Sequence, residues 1–173
     1  VLDATNGCSS LVADAALLRG LNEMLIEQGS RRAHDQRLEG WILTLDQPTY
    51  VAVVTDAQSD DLRRAFYEAW TTRASDQGPN AGKWDNAGVM EQILRKRYEA
   101  ARILGFGNYA EYALATRMAH TVQEVMRFLE ELARAGRPAA GREFEELEDF
   151  AGRRLEAWDV GFYAERLQRE RFA

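Results

Sequence analysis

The chain has 173 residues, 46% of them apolar and 29% charged, with a formal net charge of −6. That length suffices for one domain with a real core, and the acidic balance weighs against a nucleic-acid binder, whose contact surface is normally basic. A single cysteine, Cys8, excludes a disulfide-stapled module, and no apolar run approaches the roughly 20 residues that cross a bilayer.

The chain opens on Val1-Leu2-Asp3-Ala4-Thr5, which reads like the middle of a longer sequence, with no signal-peptide pattern. Cys8 has no histidine near it in sequence and is expected to pack as a small apolar residue. Residues 9–38 read as helical, with breaks near Gly20 and Gly29; Leu17, Leu18, Leu21 and Leu25 supply an apolar face at helical spacing. The polar run 28–36 fits an exposed helix or a loop. Residues 41–45, Trp-Ile-Leu-Thr-Leu, lose the helical period and are rich in strand formers. Pro48 suits the first turn of a following helix, where its missing N–H is no loss. Tyr50, Val51, Val53 and Val54 continue that helix or form a second extended stretch, because β-branched residues suit both.

Ser59-Asp60-Asp61 is a helix start, with a capping hydroxyl and two acids at the positive end of the dipole. Leu62, Phe66 and Trp70 follow at four-residue steps and predict a core face. Residues 75–86 are a sustained loop punctuated by Gly78-Pro79-Asn80 and Gly82. Beyond it, Val89, Met90, Ile93, Leu94, Ala101 and Leu104 mark a helix that stops at Gly105-Phe106-Gly107. Asn108 caps a short helix through Arg117. Thr121 and Glu124 form a capping box ahead of Val122, Val125, Met126, Leu129, Leu132 and Ala133. Pro138 is expected to separate this helix from one carrying Phe144, Leu147, Phe150 and Leu155. Asp159 is expected to cap a last helix with Phe162, Tyr163 and Leu167. The sequence stops inside that helical pattern with no glycine or proline after it. Short links between amphipathic helices predict an all-α fold, mainly a helical bundle, with one short strand or hairpin near residues 40–46. Residues 1–173 read as a single helical segment.

Chemistry is sparse. His34 and His120 are far apart in sequence, and neither belongs to a His-Glu-x-x-His pattern. A catalytic zinc needs three protein ligands, so no zinc is expected in this chain. Glu143, Glu145, Glu146, Glu148 and Asp149 crowd one helix, with Arg142, Arg153 and Arg154 nearby, and read as a solvated face. The loop from Gly78 to Lys83 has the wrong glycine spacing for a phosphate cradle, and no Ser or Thr follows the lysine. It reads as a rigid loop or as one that contacts a peptide. Trp41, Trp70, Trp84 and Trp158 are scattered; Trp84 either packs down or stands exposed for binding, and packing is the expectation.

The loop carries a wider resemblance. Residues 71–86, Thr-Thr-Arg-Ala-Ser-Asp-Gln-Gly-Pro-Asn-Ala-Gly-Lys-Trp-Asp-Asn, resemble a signature stretch of the thimet oligopeptidase family of zinc metallopeptidases. Similar matches occur at residues 1–5, at 39–46 with Pro48 and Tyr50, at 104–110, at 114–119 and at 158–163. The resemblance implies a mainly helical enzyme of several hundred residues that cuts short peptides in a channel between two helical halves. It implies one zinc, held by the two histidines of a His-Glu-x-x-His helix and a further glutamate; the zinc lowers the pKa of a bound water and polarises the scissile carbonyl. This sequence contains no such motif. The expectation is therefore an internal segment of a cytoplasmic zinc oligopeptidase, a scaffold or channel wall inactive by itself. No catalytic or metal residue is assigned, and the substrate-binding residues stay unknown. Peptides are the expected substrates of the parent, and neither nucleic acid nor membrane is an expected partner. The alternative is a helical binding module on the same scaffold. Self-association is also expected, through apolar faces that a parent enzyme would cover.

Overall fold

Short polar side chains start most of the helices by accepting backbone N–H groups that have no partner inside the first turn. In the computed structural model, which describes residues 9–83 and 85–172, Asn22 Oδ1 accepts from the Leu25 N–H at 2.8 Å. Asp46 accepts from Thr49, Ser59 from Leu62, Asn108 from Glu111 and Thr121 from Glu124. The elements are β1 (Ser9–Val12), a 3-10 turn (Ala15–Leu18), α1 (Glu23–Asp35), β2 (Trp41–Thr44), α2 (Gln47–Asp56), α3 (Asp60–Thr71), α4 (Ala87–Ile103), α5 (Tyr109–Leu114), α6 (Val122–Ala151) and α7 (Val160–Phe172). The fold is thus mainly α with one two-stranded antiparallel sheet, in which Ser9 faces Thr44 and Val12 faces Trp41.

The chain divides into two compact units: residues 1–86 with 147–173, and residues 87–146. The first unit holds a continuous core. Leu43 of β2 and Val53 of α2 are fully buried, and Leu18, Leu25, Leu62 and Phe66 close around them. α1 covers β2, while α2 packs against both α3 and α7. Trp70 is half-buried, with its indole stacked on Tyr50 at 4.3 Å and under the Arg73 guanidinium at 3.6 Å.

In the second unit α4 packs against α5, and Ala101 is buried. None of the 30 residues of α6 is buried.

Four local expectations are corrected. Residues 9–12 form a strand rather than the start of a helix; the run is too short and too far from the leucine stripe to propagate a helix, and it pairs with β2 instead. Gly29 lies inside α1 without breaking it, because a Cβ there would come within 3.2 Å of the Leu43 side chain. The glycine is the price of bringing the helix close to the strand. Pro138 lies inside α6, which runs unbroken past it. The ring removes only the N–H that would bond the carbonyl of Arg134, an exposed residue. Finally, the acceptor oxygens of Asp159 do not cap α7. They are turned to other partners, described below. The helix reading of residues 50–54 and the strand at 41–44 hold. Cys8, Trp84 and residues 1–5 lie outside the described residues.

Candidate functional site

The signature loop is built from tight turns. Ser75 Oγ donates to the Thr72 carbonyl at 2.7 Å and accepts from the Gln77 N–H at 3.1 Å. The Asn86 N–H closes the loop on the Ala74 carbonyl at 2.9 Å. Gly78 has φ +78°, and a Cβ there would meet Thr72 Oγ1 at 2.0 Å, so both the turn and the close approach require glycine.

This folding brings Pro79 and Asn80 over a cleft of about 250 Å³ in the first unit. Leu43 of β2, Leu45 just after it, and Ala65, Phe66 and Ala69 of α3 give it an apolar lining, to which Ser9, Ser10 and Glu68 add polar groups. Glu68 is already paired with Arg64 at 2.8 Å. The lining offers hydroxyls, one amide and one ion-paired carboxylate among apolar side chains. A mostly apolar lining with a few polar groups suits an apolar side chain.

A second polar constellation lies in the same unit. Arg63 and Asp159 are both fully buried. Arg63 Nη2 donates to Asp159 Oδ1 at 2.8 Å and to Asp60, and Nη1 donates to the Ala57 carbonyl at 2.7 Å. Arg153 bridges Asp60 at 3.1 Å and Asp159 at 2.9 Å. The Asp159 carboxylate also accepts from the Glu156 N–H, and the Arg63 guanidinium lies 4.1 Å over the Phe162 ring. Two cations face two anions here, so burial is compensated by pairing. The cluster ties the start of α3 to the start of α7. Sequence reading missed Arg63, although its place beside Leu62 and one turn before Phe66 put it on the core side of α3.

Two further groups report on local environment. Burial pushes the Asp46 carboxyl up, but hydrogen bonds from the Thr44 hydroxyl, the Thr49 N–H and the Thr49 hydroxyl outweigh it, so its pKa falls below the ordinary value. Burial raises the Tyr50 phenol, with Tyr67 adding to the effect.

The remaining candidates stand apart. The His34 imidazole is 91% exposed beside Asp35. His120 is exposed in the other unit. Of the acidic run, Glu148 accepts from the Leu155 N–H, and Glu143 and Glu145 face solvent. Among the described residues no three His, Cys, Asp or Glu side chains group as metal ligands. The described residues therefore do not compose a zinc site.

Comparison with known proteins gives the context. The chain is 45% identical to oligopeptidase A of Escherichia coli and 43% identical to that of Haemophilus influenzae, in each case over 100% of this chain and 26% of the relative. It is 27% identical to the dipeptidyl carboxypeptidase of Escherichia coli over 99% of this chain and 26% of that protein. The chain thus spans about a quarter of the length of the curated relatives it matches. The model described as "Peptidase family M3" matches residues 53–173, and the chain belongs to peptidase family M3.

Proposed function

We propose that this chain is a non-catalytic helical segment of a zinc-dependent oligopeptidase that hydrolyses short peptides, where it serves as scaffold or channel wall. The observation that carries the reading is similarity running over the full chain to oligopeptidase A, in a sequence without a His-Glu-x-x-His helix. The zinc and the water it activates then belong to the parent enzyme outside these residues. A cytoplasmic setting accords with the described helices, none of which is long and apolar enough to span a membrane. It also accords with a 33% identical relative named as a probable cytosolic oligopeptidase A from Arabidopsis thaliana.

Incubation of the 173-residue chain with zinc and a quenched fluorescent peptide tests the reading. No hydrolysis is expected, and zinc-dependent cleavage by this chain alone would overturn it. Within the parent, the 75–86 loop faces the substrate. Asn80 at the cleft supports this, and Gln77→Ala, Asn80→Ala and Trp84→Ala should raise KM for peptides. An unchanged KM at unchanged stability removes the loop from the substrate path. In isolation the chain self-associates through the bare apolar faces of its second unit, where Met126, Leu129 and Leu132 are each about half exposed.

A further inference from the structure

Arg73 stands where α3 gives way to the signature loop. Its guanidinium lies 3.6 Å over the Trp70 ring, and Tyr50 of α2 is stacked on the same indole at 4.3 Å with the planes 10° apart. Two flat groups this close need opposite faces of one ring, so Tyr50, Trp70 and Arg73 form three layers. Among the described residues Arg73 donates no hydrogen bond and joins no ion pair. The aromatic face is what fixes it, and a planar guanidinium suits that face better than an ammonium does.

The backbone just beyond needs such a fixture. Ala74 has φ +55°, in the left-handed region that a Cβ disfavours. A residue stays there only when its surroundings hold it. The Ala74 carbonyl accepts the Asn86 N–H at 2.9 Å, the bond that closes the loop. Upstream, the Thr72 hydroxyl donates to the Glu68 carbonyl at 2.6 Å, in the last turn of α3. Downstream, Ser75 Oγ donates back to the Thr72 carbonyl at 2.7 Å. Arg73 sits between these two bonds, and its stack on Trp70 ties it to the same helix.

We propose that Arg73 is a positioning residue: stacked on Trp70, it holds the left-handed turn at Ala74, and with it the closed loop that carries Pro79 and Asn80 over the cleft. α3 also lines that cleft through Ala65, Phe66 and Ala69, so loop and cleft are registered on one element. The proposal rests on the reading that this loop faces the substrate, and it adds the side chain that sets the loop's shape.

Amide exchange of the 173-residue chain, read by NMR, tests it. Arg73→Ala should speed exchange of the Asn86 N–H about tenfold by opening the loop, while the amides inside α3 keep their rates. Arg73→Lys keeps the charge without the flat group and should fall between. In a Trp70→Leu background Arg73→Ala should add nothing, because the partner is already gone. Ala74→Gly relieves the strained turn and should return the Arg73→Ala variant part of the way. In the parent oligopeptidase Arg73→Ala should raise KM for peptides with kcat unchanged. Unchanged Asn86 exchange overturns the proposal. So does an equal acceleration throughout α3, which is general destabilisation, or the same acceleration in the Trp70→Leu background, which puts the contact elsewhere. A faster-exchanging loop with an unchanged KM keeps Arg73 as the anchor and removes the loop from the substrate path.

Discussion

The two units use the same composition to opposite ends. In the first, Leu43, Val53, Leu62 and Phe66 disappear from solvent. In the second, Val89, Met90, Ile93, Leu94 and Tyr98 are spaced just as regularly along α4 but remain at least 38% exposed. Every buried apolar residue among those described, apart from Ala101, belongs to the first unit. The difference does not lie in helix propensity or amphipathicity, which both units possess. It lies in what each apolar face meets. In the first unit a strand pair, a covering helix and a buried ion cluster give each face a partner. In the second, α4 meets the six-residue α5. An amphipathic helix gains most of its stability from packing its apolar face, so the first unit should melt as a cooperative body and the second should fray.

The largest effect expected is at the ion cluster. Asp159→Ala leaves Arg63 buried and without its best partner, and such breaks typically cost about 3–5 kcal/mol. All four tryptophans belong to the sequence of the first unit, so their fluorescence reports that unit alone. Urea unfolding of the variant should shift the fluorescence midpoint strongly while part of the far-UV circular dichroism signal, from α4 and most of α6, does not follow. Coincident shifts of both signals would mean the two units unfold as one and would remove the contrast.

Next comes a pair of like truncations. Phe66→Ala opens a cavity in the core and should cost about 3–5 kcal/mol. Leu94→Ala removes an apolar side chain that is 63% exposed and should change stability by no more than about 0.5 kcal/mol. If Leu94→Ala costs as much as Phe66→Ala, the face of α4 is covered in solution.

How much of this was legible follows the same division. The helix starts at Asn108 and Thr121 were readable because a capping oxygen is a local device. The stripe Leu62–Phe66–Trp70 was readable because α3 buries one side. The strand at residues 9–12 was not, because its only reason to be a strand is β2, about 30 residues away in sequence. Asp159 looked like a cap because it precedes α7. Its carboxylate goes instead to Arg63, 96 residues earlier, and no local pattern records that pairing. The bundle expected from short links was also a local inference. Amphipathic periodicity tells which face of α6 wants a partner and says nothing of whether one is present.

The smallest effect separates the units by pH. Asp46 caps α2 in the first unit, and its carboxyl lies below the ordinary value of 3.8 because the Thr44 and Thr49 hydrogen bonds outweigh burial. A depressed carboxylate stabilises the fold above its unfolded pKa and loses that contribution as pH falls through the folded value. Asp46→Ala should therefore cost about 1 kcal/mol at neutral pH and remove part of the acid slope below about pH 4. Asp46→Asn keeps an equally good cap while flattening the same slope, which separates the charge from the hydrogen bond. Glu124 at the start of α6 is also held low, chiefly by the His120 N–H, which outweighs the upward push of burial, with the Thr121 N–H adding a smaller lowering. Its protonation releases the first turn of a helix that buries nothing, so Glu124→Gln should change only circular dichroism. Because α2 packs on both α3 and α7, loss of the Asp46 cap should also appear in the tryptophan fluorescence of the first unit. An acid transition at Glu124 that reached those tryptophans would show that the start of α6 is coupled to the packed core.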